Sequence, residues 1–176
     1  EIFMQLVGTP FGMTSMQADK HQWYPDPLQT KAYKVGKVED PLGEIDVSYG
    51  TCGGGWMSTN RDLAKYAKWL MTSRITITDE DRDLMWQNYI ENSLEDTSTY
   101  GLGWRSPTTN PRHSGKHPGA RNRLKLFIQD GKKDAIIILT NTEVQNKNED
   151  DGYYGGKEFI VILRDRLKEE FLGEDD

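Results

Sequence analysis

Two apolar runs joined by the dipeptide Asp130-Gly131 constrain the fold of this chain more than any other feature of its sequence. The runs cover residues 122–129 and 133–140, and Asp-Gly between two such runs is the strongest short-range signal of a β-hairpin. A further short strand is predicted just ahead of the hairpin, at residues 113–115, within a run of five residues that starts at Arg112. We therefore expect antiparallel strands in the C-terminal third.

Two helices are predicted in the first half of the chain. Residues 1–7 have the character of a helix end, and the Gly-Thr-Pro that follows terminates it. Residues 59–72 begin with a hydroxyl cap and carry Asp62 three places on, which is the sequence of a capping box. Apolar residues at helical spacing continue from there, so this helix is the best defined in the sequence.

Two more helices are predicted further along. One starts at the cap Thr78 with three acidic residues in its first turn, where they suit the helix dipole. Its apolar face is predicted on Leu84, Met85 or Trp86, Tyr89 and Ile90. The other closes the chain at residues 157–172 as an amphipathic helix. Its apolar face is predicted on Phe159, Ile160, Leu163, Leu167 and Phe171.

The remaining segments are predicted to be mostly irregular. Residues 14–50 are polar and show little periodicity beyond a short strand expected at residues 30–38, so they are interpreted as a lid-like insertion. The glycines at residues 53–55 indicate a tight turn, since the Gly-Lys-Ser/Thr of a phosphate loop does not follow them. Residues 100–104, Tyr-Gly-Leu-Gly-Trp, are predicted as a strand, and residues 141–156 as an acidic loop.

The composition disfavours several classes of function. Among 176 residues, 22 Lys and Arg stand against 28 Asp and Glu, a net charge of −6, so the basic face that nucleic acids require is not expected. No apolar run approaches the roughly 18 residues of a membrane helix. The single cysteine, Cys52, excludes intrachain disulfides and has no histidine at a useful spacing for a nucleophilic role. The compartment stays open, because any targeting segment would precede Glu1.

Four segments, taken in order, resemble one family of enzymes. They are Phe-Gly-Met-Thr at residues 11–14, Gly-Gly-Gly-Trp-Met-Ser-Thr-Asn-Arg-Asp-Leu-Ala at residues 53–64, Tyr-Gly-Leu-Gly-Trp at residues 100–104, and His-Ser-Gly followed by Pro-Gly and Leu-Thr-Asn within residues 113–141. Their order and spacing resemble the serine β-lactamase-like hydrolases, which include class C β-lactamases, penicillin-binding DD-peptidases, family VIII esterases and D-aminopeptidases.

The resemblance implies an α+β chain with part of a β-lactamase/transpeptidase-like fold, in which an antiparallel sheet is flanked by helices and carries a helical insertion region. Residues 1–99 would form the helical and irregular insertion region, and residues 100–176 the C-terminal strands and closing helix of the same domain. One helix leaves a sheet face and an edge bare, so the missing N-terminal half of the domain is expected to cover them.

Two motifs of the family are absent from the sequence. No serine is followed three places on by lysine, the pattern that supplies the nucleophile, and no tyrosine is followed two places on by asparagine. Both motifs lie upstream in the family. The resemblance therefore implies the C-terminal portion of a serine hydrolase that cleaves an ester, amide or lactam through an acyl-serine intermediate. The chain alone is expected to be inactive. The alternative is a non-catalytic relative that serves as a ligand-binding or scaffolding module.

The resemblance also assigns roles to four consecutive residues, which match the family's third motif, Lys-Thr-Gly in its usual form. His113 takes the place of lysine, near the substrate carboxylate or the proton relay, and Ser114 offers its hydroxyl to the same region. Gly115 allows close approach of a small-molecule or peptide substrate, and the main-chain N–H of Lys116 is the oxyanion donor. Because histidine titrates near neutral pH, the motif favours an esterase or peptidase over a dedicated β-lactamase.

Other interpretations of these segments are weaker. A metal pair of His113 and His117 would need a helix, which Gly115 and Pro118 oppose, and no third ligand cluster is visible. The sequence therefore predicts no metal and no cofactor. Trp104 precedes the motif and is a candidate to line the substrate cleft, whereas Trp69 and Trp86 are predicted to lie in the core.

Overall fold

A computed structural model describes residues 2–18, 30–34, 50, 53–91, 99–105, 110–117, 119–143 and 159–172 of the chain. Its helical segments are a π-helical turn at Met4–Gly8, a 3₁₀ turn at Gln129–Gly131 and the α-helices α1 (Asn60–Thr72), α2 (Asp79–Trp86) and α3 (Phe159–Leu172). Its strands are β1 (Gln17–Ala18), β2 (Tyr33–Lys34), β3 (Trp56–Met57), β4 (Ile90–Glu91), β5 (Thr99–Tyr100), β6 (Arg112–His117), β7 (Ala120–Phe127), β8 (Asp134–Thr140) and β9 (Thr142–Glu143).

The largest sheet of the described residues has the strand order β6-β7-β8. Its strands are joined by connections that are too short for a parallel crossover, so neighbours run antiparallel. Asp130 and Gly131 both have positive φ, 54° and 77°, as the turn of a tight hairpin requires. The predicted hairpin is confirmed. Two-residue strands form three smaller pairs: β1 with β3 and β4 with β5 are antiparallel, and β2 with β9 is parallel.

The chain divides into two compact units. The first comprises Glu1–Ala18, Trp56–His113 and Leu124–Ile137, and the second comprises Asp19–Gly55, Ser114–Arg123 and Ile138–Asp176. The division into an insertion region and a C-terminal region at residue 99 stays a prediction.

The core of the first unit is built from segments far apart in sequence. Met13, Leu70 and Leu126, which come from the N-terminal segment, α1 and β7, are each 0% exposed. Trp69 is buried beside them, and its indole N–H donates to the hydroxyl of Thr76 at 2.7 Å. Because apolar side chains from all three elements close on one cluster, burial rather than local propensity fixes their arrangement.

The two central helices begin where the sequence predicts. Thr59 caps α1 by accepting from the N–H of Asp62 at 3.3 Å. Thr78 caps α2 through a complete capping box, in which the carboxylate of Asp81 accepts from the N–H of Thr78 at 2.8 Å. The box predicted for α1 is only half formed, because the Asp62 side chain bonds the N–H of Ser15 instead.

The apolar face predicted for α2 is only partly correct, because Met85 and Trp86 are half-buried and pack against the core. The helix ends at Trp86, while Leu84 and Tyr89 are 54% and 48% exposed. Arg82 is the buried residue of this helix, at 5% exposure, and its Nε donates to the carbonyl of Leu70 at 2.6 Å. The last carbonyls of a helix lack partners within it. The Arg82 guanidinium of α2 donates to such a carbonyl at the end of α1, so a charged side chain is buried at a position that apolar periodicity did not predict.

The strand predicted at residues 100–104 is mostly wrong. Only Tyr100 lies in a strand, as the end of β5, and the N–H of Gly101 donates to the carbonyl of Trp104 at 2.7 Å to form a turn. Gly103 adopts φ +80° there, which only glycine takes without strain. The alternation of large residues and glycines thus marks a glycine-dependent turn.

In the second unit, the glycines at residues 53–55 form the predicted tight turn. Their three N–H groups donate to the carbonyl of Gly50 at 2.7–2.8 Å. Of the strand predicted at residues 30–38, only Tyr33 and Lys34 form a strand among the described residues, as β2. Residues 30–32 are irregular, and residues 35–38 lie outside the described ones. Cys52, most of the lid-like segment and residues 144–156 of the acidic loop also lie outside them.

The predicted closing helix is present as α3. On its predicted apolar face, Leu163 and Leu167 are half-buried, whereas Phe171 is 70% exposed. None of the helices described is both long and apolar enough to cross a membrane.

Candidate active site

The four residues of the predicted site lie together on β6, the end strand of the sheet β6-β7-β8. His113, Ser114, Gly115 and Lys116 are all exposed. A strand at the end of a sheet presents one row of backbone groups away from its neighbour. The structure therefore puts the predicted residues on a surface strand, with one backbone edge directed away from β7.

The pairing of β6 with β7 follows one register along its length. The carbonyl of Pro111 accepts from the N–H of Leu126 at 2.8 Å. A Cβ on Gly115 would lie 3.9 Å from the Cβ of Asn122. Both contacts belong to the same antiparallel register, in which Ser114 lies opposite Arg123.

The backbone of β6 alternates between its two edges, and this alternation places the predicted oxyanion donor. Arg112 exchanges both of its backbone hydrogen bonds with Arg105, at 2.8 and 3.0 Å, on the edge away from β7. Successive residues of a strand direct their N–H and C=O groups to opposite edges. The N–H groups of Ser114 and Lys116 therefore point to the same outer edge as that of Arg112.

His113 is held by a contact from the turn that precedes β6. Its Nδ1 lies 2.7 Å from the carbonyl oxygen of Gly103. The ring is exposed, so this hydrogen bond rather than burial sets its orientation. The family-like segment at residues 100–104 thus supports the motif residue through its backbone.

Ser114 contacts a charged residue that the sequence analysis missed. The Nε of Arg123, on β7, donates to the hydroxyl oxygen of Ser114 at 3.1 Å. The two residues are opposite one another across the short Pro-Gly connection, so counting outward from that turn would have identified the pair. Arg123 adds a positive charge beside the motif.

Neither packing nor backbone conformation in the described residues requires glycine at position 115. A Cβ there would meet only Asn122, at an ordinary van der Waals distance, and the φ of Gly115 is not positive. Among the described residues, no other atom lies within 4 Å of such a Cβ. The lack of a side chain therefore leaves room for an approaching molecule, which is the chemical use that the motif assigns to it.

Trp104 does not lie on the exposed surface. It is 5% exposed and belongs to the core of the first unit, so packing accounts for this side chain, and its place beside a substrate stays a prediction. The helical spacing considered for His113 and His117 does not apply, because both lie on a strand. In the ranges described, no group of three His, Cys, Asp or Glu side chains could hold a metal ion.

The sequence matches no protein-family model and no curated protein. Several solved structures are similar. A D-stereospecific amidohydrolase from Streptomyces sp. aligns over 98% of this chain with TM-score 0.64 and 16% identity. A D-amino acid amidase from Ochrobactrum anthropi SV3, complexed with L-phenylalanine amide, aligns over 79% with TM-score 0.59 and 18% identity. The octameric penicillin-binding protein homologue from Pyrococcus abyssi aligns over 80% with TM-score 0.59 and 21% identity.

The alignments cover 48%, 43% and 33% of these proteins respectively, so the chain spans less than half of their length. All three have the β-lactamase/transpeptidase-like fold. Their likeness to the helices and antiparallel strands described above confirms the fold that the sequence resemblance implied. This chain has the β-lactamase/transpeptidase-like fold, over part of that fold's length.

Proposed function

We propose that this chain is the C-terminal part of a serine hydrolase that cleaves an ester, amide or lactam through an acyl-serine intermediate. The observation that carries the proposal is the geometry of β6. Strand alternation from the Arg112–Arg105 bridge directs the Lys116 N–H to the outer edge, directly after a glycine whose Cβ would meet only Asn122 among the described residues, at 3.9 Å. An oxyanion hole needs such a backbone donor beside a space that the reacting carbonyl can enter.

The chain contributes one wall of the site in this mechanism. A serine supplied by a segment outside these 176 residues attacks the acyl carbon, and a base takes its proton. The carbonyl oxygen gains negative charge and accepts from the Lys116 N–H. Cleavage of the bond from the acyl carbon to oxygen or nitrogen then frees the alcohol or amine, which takes the proton from the base (in a lactam the amine stays attached), and leaves the acyl-enzyme. Water hydrolyses this ester, which yields the carboxylic acid and restores the serine hydroxyl. One oxyanion donor contributes on the order of 10²–10³ in rate.

His113 and Ser114 orient the substrate or its proton relay beside this donor. Arg123 is a positioning residue, because it holds the Ser114 hydroxyl through a hydrogen bond of 3.1 Å. Its guanidinium also favours a substrate carboxylate on this side of the strand. The partners are thus a small-molecule or peptide substrate and the remainder of the same domain.

The proposal is tested by burst kinetics on the full-length parent protein with an activated ester. Gly115→Val places a branched side chain over the space at β6 and is expected to lower kcat/KM about 100-fold. Gly54→Val is the matched control, since Gly54 is also exposed and a Cβ there meets nothing within 4 Å. Equal activity of the two variants would contradict the proposal, as would a burst from the 176-residue chain alone.

A further inference from the structure

The hydrogen bond of His113 decides which of its ring nitrogens carries the proton. Its Nδ1 is 2.7 Å from the carbonyl oxygen of Gly103. A carbonyl oxygen only accepts, so Nδ1 must be the donor. The neutral ring has a single N–H, and Nε2 is then left with a lone pair that can accept.

The carbonyl of Gly103 belongs to a turn that is anchored on several sides. The N–H of Gly101 donates to the carbonyl of Trp104 at 2.7 Å, and the N–H of Leu102 donates to the carbonyl of Met85 at 2.9 Å. The side chain of Trp104 is buried in the core. This turn is therefore tied to α2 and to the apolar cluster of the first unit.

The turn is also tied to the start of β6. Arg105, two residues after Gly103, exchanges two backbone hydrogen bonds with Arg112, the residue before His113. This bridge fixes the distance between the Gly103 carbonyl and the His113 backbone. The hydrogen bond of the His113 ring thus joins two segments that backbone hydrogen bonds already hold side by side.

We propose that Gly103 is a positioning residue of the site, whose carbonyl holds His113 as the Nδ1–H tautomer and leaves Nε2 exposed as a hydrogen-bond acceptor. A lysine in the same place can only donate. The neutral histidine therefore presents the opposite polarity and faces a donor on the substrate or on the proton relay. This catalytic meaning rests on the proposed function, whereas the tautomer itself does not.

The test is a long-range ¹H–¹⁵N correlation spectrum of the 176-residue chain labelled with ¹⁵N-histidine, recorded at alkaline pH where histidine is neutral. Comparison with His113→Gln assigns the His113 signals against those of His21 and His117. The expected result is a tautomer ratio shifted roughly two- to tenfold toward Nδ1–H relative to free histidine in water, in which Nε2–H predominates. An unshifted ratio, or a shift toward Nε2–H, overturns the proposal.

Two matched glycine variants test the role of the turn. Gly103→Ala and Gly131→Ala replace glycines with similar positive φ, +80° and +77°, and neither Cβ would meet a neighbour within 4 Å. Both introduce similar backbone strain. Only Gly103→Ala is expected to return His113 toward the ratio in water; an equal effect of both variants, or of neither, overturns the role of Gly103.

The wild-type spectrum tests the tautomer whether or not the variants fold. Failure of the proposed function is distinguishable, since a full-length protein without a reactive serine would leave these nitrogen signals unchanged.

Discussion

The backbone N–H of Ser15 donates to the buried carboxylate of Asp62 at 2.5 Å, across 47 residues of sequence. The other carboxylate oxygen lies 3.2 Å from Nζ of Lys65, which also donates to the carbonyl of Gly12. The first turn of α1 thus holds the Phe-Gly-Met-Thr segment at residues 11–14. The position of Asp62, three residues after the cap Thr59, suggested a local capping box. Its carboxylate instead accepts a hydrogen bond from a segment far away in sequence.

Asp62→Asn is expected to destabilise the chain by about 1–3 kcal/mol. The amide replaces one carboxylate oxygen with an NH₂ donor, so either the Ser15 N–H or the Lys65 ammonium would face a donor instead of an acceptor. Urea denaturation measures the change in the free energy of unfolding. Asp83→Asn, at an exposed position of α2, serves as the control and should shift it by no more than about 0.5 kcal/mol. Equal effects of the two substitutions would mean that the hydrogen bonds of Asp62 do not contribute to stability.

Arg82→Met is expected to cost about 2–4 kcal/mol, although methionine is apolar and of similar length. The substitution removes the guanidinium that donates hydrogen bonds to the carbonyls of Leu70 and Ser73 at the end of α1. It also leaves Asp79 without its ion pair at 2.7 Å. Thermal unfolding followed by circular dichroism gives the comparison. Retention of the wild-type midpoint would show that packing alone holds α1 against α2.

The Asp81 carboxylate should make a stability contribution that is lost in acid. The backbone N–H of Thr78, and then its hydroxyl, hold the pKa of Asp81 below its ordinary value of 3.8. A lowered pKa in the folded state contributes stability above that ordinary value, and the contribution disappears as the pH falls through the lower folded pKa.

The matching measurement is an NMR titration of the Asp81 side-chain carbon. Thr78→Ala removes the hydroxyl but keeps the backbone donor, so the pKa is expected to rise only part of the way. A wild-type titration at or above 3.8 would refute the capping geometry of α2.

Leu126→Ala is expected to destabilise the chain by about 2–5 kcal/mol, because Leu126 is fully buried and the substitution opens a cavity. Leu84→Ala is the paired variant on the α2 face that apolar periodicity predicted to be buried. At 54% exposure, its loss should change the free energy of unfolding by about 0.5 kcal/mol or less. Comparison of the denaturant midpoints of the two variants shows whether Leu84 is buried, as the periodicity predicts, or exposed, as the structure has it.

Features with local causes were predictable from the sequence. The Asp130-Gly131 turn and the hydroxyl caps at Thr59 and Thr78 are specified within a few residues, and the structure forms each of them. The short strand predicted at residues 113–115 is likewise present, within β6. The antiparallel arrangement of β7 and β8 followed from the same short-range pattern.

Features that depend on distant segments were not predictable in this way. Arg82 is buried because the end of another helix needs donors, which periodicity within α2 cannot reveal. The turn at Gly103 was mistaken for a strand because alternating glycines mimic a period of two. The pairing of Arg123 with Ser114 is different, because it lies within one hairpin and needed only the register counted from the short connection between β6 and β7.

The most direct test of the central claim is to read the natural coding sequence upstream of the Glu1 codon and express the complete protein. It is then treated with a serine-directed acylating reagent and analysed by peptide mass spectrometry. The account predicts an in-frame Ser-x-x-Lys and one equivalent of adduct on its serine. A frame without that motif, or a complete protein that takes up no adduct, would contradict the account and favour a non-catalytic binding module.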